Sequence, residues 1–109
     1  MKSRKKFRVV LVTCSTLQEA RRIARRVVSQ RLAACVNIVR SPIESFYTWK
    51  GQLESAREHL LIVKTAAKRQ RQLEREVHRL HSYGVPEFIA LPIVAGSDKY
   101  LSWLRSSVG

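Results

Sequence analysis

Apolar and β-branched residues fill both alternating registers of Phe7–Thr13 (FRVVLVT), the pattern of a strand buried on two faces. Thr16 and Glu19 follow at capping-box spacing, so Thr16 is the expected N-cap of a helix running to about Arg31. Its inner stripe is Ala20, Ile23, Ala24, Val27 and Val28. Ala33–Val39 reads as a second strand, interrupted at Pro42, which has no amide hydrogen for a ladder bond. Ile43–Trp49 resumes the extended pattern. Lys50-Gly51 is a turn signal, and a return strand opens at Leu53 and ends in the doubly apolar run His59–Thr65. Ala66–His81 carries Gln70, Leu73, Val77 and Leu80 at helical spacing, and Gly84-Val85-Pro86 breaks it. Phe88–Val94 predicts a last strand, with Pro92 marking an edge or bulge. Ser97-Asp98 caps a short final helix bearing Tyr100, Leu101, Trp103 and Leu104.

The order β-α-β-β-α-β plus a terminal helix predicts an α+β fold: a ferredoxin-like βαββαβ sandwich, an antiparallel sheet with two helices on one face. Residues 7–109 are expected to form this single domain, preceded by a basic tail at residues 1–6. Val10/Val12, Leu61/Val63 and Ile89/Leu91/Ile93 alternate with Val9/Leu11, Leu60/Ile62 and Phe88/Ala90, so both faces of the sheet are apolar. Two helices cover only one of them. Self-association into a closed symmetric oligomer is the economical way to cover the other. The hairpin from Ala33 to Lys64 is long for so small a core. Three aromatics near its tip, Phe46, Tyr47 and Trp49, predict an arm that reaches beyond its own sheet.

Composition then narrows the function. The apolar runs are too short for a membrane-spanning helix, and the basic start lacks a signal-peptide pattern. Two cysteines cannot build a disulfide framework or a Cys-rich zinc module. These features predict a small cytoplasmic protein. The 21 Lys and Arg against 8 Asp and Glu give a net charge of +13, which invites a nucleic-acid partner. No base-reading motif is present, and the strands that carry aromatics in RNA readers of this topology carry aliphatics here. Arg21, Arg22, Arg25 and Arg26 share one helix sector and read as a solvated face, at a like-charge cost of about 0.2–0.5 kcal/mol per i,i+4 pair. The expectation is therefore no nucleic acid and no membrane partner.

Candidate chemistry is sparse. Cys14 lies where a strand meets a helix N-terminus, a setting that favours thiolate, and thiolate is a nucleophile and a ligand for soft metals. A small buried core cysteine is the competing reading. Cys35, inside an apolar strand, reads as packing. His81 at the end of the second helix and Glu87 after the Val85-Pro86 turn are metal-ligand types, though their spacing from Cys14 is not diagnostic. His78 and His81 are also chelate-spaced. No convergent acid, base and nucleophile, phosphate loop or dinucleotide fingerprint appears, so no enzyme and no organic cofactor are expected.

Several segments together resemble the divalent-cation-tolerance (CutA) family: Val9–Cys14, Glu19–Ala24, Leu32–Ile38, Tyr47–Gly51, Leu61–Thr65, His81–Glu87 and Tyr100–Leu104. The resemblance covers roughly Phe7 to Val108. It implies a homotrimer of ferredoxin-like subunits and a response to metal ions, with copper or another divalent metal bound by Cys14, His81 and Glu87. The family's usual proline after that histidine is Ser82 here, and its usual glutamate before Val-Pro is Gly84. A trimeric signalling or scaffold module, taking a small ligand or a protein partner at subunit clefts, is the alternative that the same architecture suggests.

Overall fold

The computed structural model describes residues 6–109. The expected basic tail falls almost wholly on residues 1–5, outside the described residues; Lys6 is an exposed turn residue. The elements are β1 (Phe7–Cys14), α1 (Leu17–Ser29), β2 (Cys35–Ile38), β3 (Ile43–Trp49), β4 (Gln52–Ala66), a 3₁₀ turn (Ala67–Arg69), α2 (Gln70–Leu80), β5 (Ile89–Pro92) and α3 (Asp98–Ser107). The sheet order is β2-β4-β1-β5, with β3 pairing only with β4, and every pairing is antiparallel. This is the ferredoxin-like sandwich that the chain pattern predicts.

The inner sheet face packs under the helices. Val10, Val12, Leu61 and Val63 meet Ile23 and Val27 of α1 and Leu73 and Val77 of α2, all fully buried. Each such side chain contributes about 1.5–3 kcal/mol through removal from water. A second cluster joins Leu101, Leu104 and Val108 at the C-terminal end to Phe7, Ala34 and Ala66. Thus α3 covers the end of the outer face at Phe7 and Ala66, where β1 begins, and leaves the rest of that face open. Register places Val9 opposite Leu91 and Leu11 opposite both Ile62 and Ile89. Ile89 and Leu91 therefore share the outer face with Val9 and Leu11, and are 48% and 46% exposed. The residue paired with inner-facing Val10 is Ala90.

Local differences from the sequence reading have physical causes. Helix α1 stops at Ser29, short of Arg31, because Arg31 takes a left-handed conformation at φ 60°. Its amide donates to the Val28 carbonyl and the Leu32 amide to Val27, the paired bonds of a Schellman stop in which glycine is the usual residue. Arg31 is held there by bonds to the chain end: its guanidinium donates to Ser106 O (2.9 Å), and its carbonyl accepts from Gly109 N. Strands β2 and β5 are shorter than expected, although single ladder bonds from Ala34, Val39 and Ile93 prolong them. Pro92 sits on β5, an edge strand, as its missing amide requires.

The return strand, expected from Leu53 to Thr65, is one continuous 15-residue element, Gln52–Ala66. Its second half pairs with β1 and β2, while its first half pairs only with β3. The arm closes through Lys50 (φ 51°) and Gly51 (φ 77°) between the Trp49–Gln52 pair. Two successive left-handed residues make the primed turn that matches strand twist, which is why glycine is needed at Gly51.

Candidate functional site

The site lies at the end of the sheet away from α3. Strand β1 delivers the Thr13 carbonyl and the Cys14 side chain, both buried. Thr16 then caps α1, its hydroxyl accepting from Glu19 N at 3.1 Å. The reciprocal half of the capping box goes elsewhere. The buried Glu19 carboxylate accepts from Ser82 N (2.7 Å) and Ser82 Oγ (3.1 Å), clamping the segment after α2 onto the start of α1. Proline at position 82 would supply neither donor.

His81 ends α2 in an extended conformation, its amide still donating to Val77 O. Both ring nitrogens are engaged. Nδ1 accepts from Tyr83 N at 3.1 Å, which assigns the proton to Nε2, and Nε2 donates to Thr13 O at 2.7 Å. The Cys14 sulfur lies 3.8 Å from Nε2. One ligand atom each from Cys14, Glu19 and His81 lies within 4.8 Å of the others, all three residues being buried.

Of the two sequence readings of Cys14, electrostatics favour the buried core cysteine over the helix-start thiolate. The thiol is pushed up from its ordinary 9.0 to about 12, first by burial and then by the nearby negative charges of Glu19 and Glu58. Desolvation outweighs the positive end of α1, so Cys14 rests as a neutral thiol. Cys14 and Cys35 are both free thiols.

Of the three metal-ligand candidates, the fold brings together Cys14 and His81, with Glu19 as the carboxylate beside them. Glu87 stands apart, exposed on the wall of an adjoining cavity of about 610 Å³. Ser45, Tyr47 and Trp49 of the arm, Glu58 of β4, and Tyr83 and Val85 also line that cavity. Tyr83 Oη donates to Glu58 at 2.9 Å. Burial, followed by that carboxylate, pushes the Tyr83 phenol up to about 12. The Glu87 carboxyl is also raised, by burial and then by Glu58. His78 is exposed and stacks edge-on to Phe88, away from the donor group.

Sequence reasoning missed Glu19 and Glu58. Glu19 was concealed by its capping-box position. Glu58 carried a faint signal, a carboxylate just before a doubly apolar strand.

Residues 8–107 match the family described as CutA1 divalent ion tolerance protein. The chain is 46% identical over 101 residues to a divalent-cation tolerance protein CutA of Thermus thermophilus, covering 93% of this chain and 97% of that one. It is 48% identical over 99 residues to a chloroplastic CutA of Arabidopsis thaliana, covering 91% of this chain but only 54% of that relative's length. The solved Thermus thermophilus structure superposes with a TM-score of 0.92 at 46% identity, over 94% of this chain and 99% of that one. A structure titled as the periplasmic divalent cation tolerance protein CutA of Archaeoglobus fulgidus gives 0.91 at 40% identity, over 94% and 99%. The chloroplastic and periplasmic names overturn the expectation of a cytoplasmic protein. Among the described residues no helix is long and apolar enough to cross a membrane.

Proposed function

This chain belongs to the CutA1 divalent ion tolerance family, and from that premise we propose that it is a homotrimeric binding protein, not a catalyst, that takes up copper or another soft divalent-class metal. The observation that carries this reading is the convergence of Cys14, Glu19 and His81 within 4.8 Å. Thiolate, imidazole and carboxylate form a donor set suited to a soft or borderline ion. The residues fit a metal only after a proton exchange. The Cys14 thiol must lose its proton. The His81 ring must free Nε2 from Thr13 O by moving its proton to Nδ1, which displaces the Tyr83 amide. The resting hydrogen bonds therefore close the site, and metal binding opens it with proton release. Glu87, on the neighbouring wall, is the carboxylate that a rearranged segment 81–87 would bring to the ion.

The trimer is supported by the outer sheet face, where Ile89 and Leu91 remain about half exposed beside Val9, Leu11 and Ile62. A closed ring of copies covers such a face without leaving an open edge. Native mass spectrometry with and without copper tests both parts at once. The expected result is a trimer mass with bound metal that is lost in Cys14→Ala and His81→Ala. Metal-free spectra of the parent at micromolar copper, or uptake by both variants equal to the parent's, refute the metal assignment, and a monomer mass refutes the assembly.

A second reading draws on the cavity at the base of the arm. Its walls combine carboxylates (Glu58, Glu87) with aromatic rings (Tyr47, Trp49, Tyr83), which suits a small cationic organic ligand held as a signal. A ligand-induced rise in melting temperature that survives Cys14→Ala and disappears in Trp49→Ala favours this reading over metal binding.

A further inference from the structure

Helix α1 turns Ala20, Ile23 and Val27 into the core. At about 100° per residue, Arg21, Arg22, Arg25 and Arg26 fall within a sector of about 140° on the opposite side. Helix α2 repeats the arrangement: Leu73 and Val77 point inward, and Arg71, Arg75 and Arg79 form an i, i+4, i+8 row outward. All seven are exposed. The helices lie side by side on the same sheet face, tied where the Arg22 guanidinium donates to Leu80 O at 2.7 Å. Two arginine rows thus share one surface.

Little on the protein neutralises them. The single ion pair among the described residues is Arg79–Glu76 at 2.8 Å, and the same carboxylate also faces Arg26, which leaves Arg21, Arg22, Arg25, Arg71 and Arg75 without an ion pair. Each row also places like charges at i and i+4, an arrangement that destabilises an isolated helix and is relieved by bound anion. The surface lies opposite the apolar outer sheet face, so assembly through that face leaves it free.

We propose that the arginine-bearing face of α1 and α2 binds the phosphodiester backbone of nucleic acid without reading its sequence. Arginine forks suit phosphate oxygens, and clustered cations gain from counterion release. An anionic membrane fits less well. A helix lying on lipid sinks an apolar face into it, whereas the apolar faces of α1 and α2 are spent on the core. The large exposed hydrophobics are concentrated on the arm, the outer face and α3, with Val28 alone on these helices. The sequence expectation of no nucleic-acid partner rested on missing base-reading groups, which backbone binding does not need.

The test is fluorescence anisotropy of the full chain with a labelled random-sequence DNA duplex at several salt concentrations. The duplex is expected to bind at low salt and weaken steeply as salt rises. The quadruple variant Arg21→Gln, Arg25→Gln, Arg71→Gln, Arg75→Gln should bind at least about tenfold more weakly, with a log–log salt slope shallower by about 3–4. Glutamine keeps helix propensity at these exposed positions, and circular dichroism checks the fold. A control with equal charge loss at exposed positions off α1 and α2 (Lys6, Arg40, Arg57 and Lys99, each to Gln) should bind like the parent. No duplex binding at low salt, equal weakening by both quadruple variants, or dependence on these arginines for phosphatidylserine vesicles but not for duplex overturns the proposal.

Discussion

Raising the pH from 7 to 10 should tighten Cu(I) binding about tenfold per unit, with no levelling near 9. The reasoning starts from the buried Cys14 thiol, held at about 12 rather than 9.0. Below a thiol's pKa, each pH unit multiplies the thiolate fraction tenfold, and metal binding draws on that fraction. At pH 7 the thiol lies about five units below its midpoint, so forming the thiolate costs about 7 kcal/mol, against about 3 kcal/mol for an ordinary thiol. An ordinary thiol stops contributing to the slope once the pH passes 9; this one keeps contributing to 10 and beyond. The measurement is anaerobic competition against a Cu(I) chelator corrected for its own protonation, in a Cys35→Ser background so that Cys14 is the sole thiol. An affinity that flattens between pH 8 and 9 refutes the buried-thiol account. Unchanged affinity in Cys14→Ala refutes ligation by that sulfur.

The same raised thiol makes a stability prediction. A group whose folded pKa exceeds its unfolded value stabilises fully below the unfolded pKa and loses that contribution as pH rises to the folded one. Stability should therefore fall as pH rises from 9 to 12, by about 4 kcal/mol in total from Cys14, so the melting temperature drops over that range and drops less in Cys14→Ala. Tyr83, raised from 10.0 to about 12, acts in the same direction, so Tyr83→Phe should flatten the upper part of the curve in thermal melts followed by circular dichroism. Leu73→Ala, at a fully buried position on the inner face of α2, should cost about 2–5 kcal/mol in urea denaturation, and a cost under 1 kcal/mol would contradict the packing. Ile89→Glu with Leu91→Glu should convert the proposed trimer to folded monomer by light scattering, since both side chains are half exposed in a single copy. A persistent trimer would move the interface elsewhere.

The fold was legible where each residue's own neighbours decide its environment. Alternation in Phe7–Thr13 and His59–Thr65 located the two central strands, and the stripe Leu73–Val77 located α2. The outer half of β4 was harder to read, because Gln52–Arg57 faces solvent on both sides and has no apolar period to display. The end of α1 was misplaced because an arginine performs the turn that sequence rules assign to glycine. At the site, Cys14 and His81 are 67 residues apart, and only the family resemblance paired them. The protonation of Cys14 could not be read locally, since adjacency to a helix start is visible in sequence and enclosure by the rest of the chain is not. Glu19 displays a capping motif, while its carboxylate serves Ser82 in the segment that follows α2.

Strand β4 has one further consequence. At about 3.3 Å per residue its 15 residues approach the molecule's 45 Å length, so a single bar runs from the arm's tip into the body. Glu58 sits near its middle, where β3 ends and β1 takes over, and grips the Tyr83 hydroxyl. The bar is thus joined at mid-length to the donor group, since the Tyr83 amide holds the His81 ring in its resting tautomer.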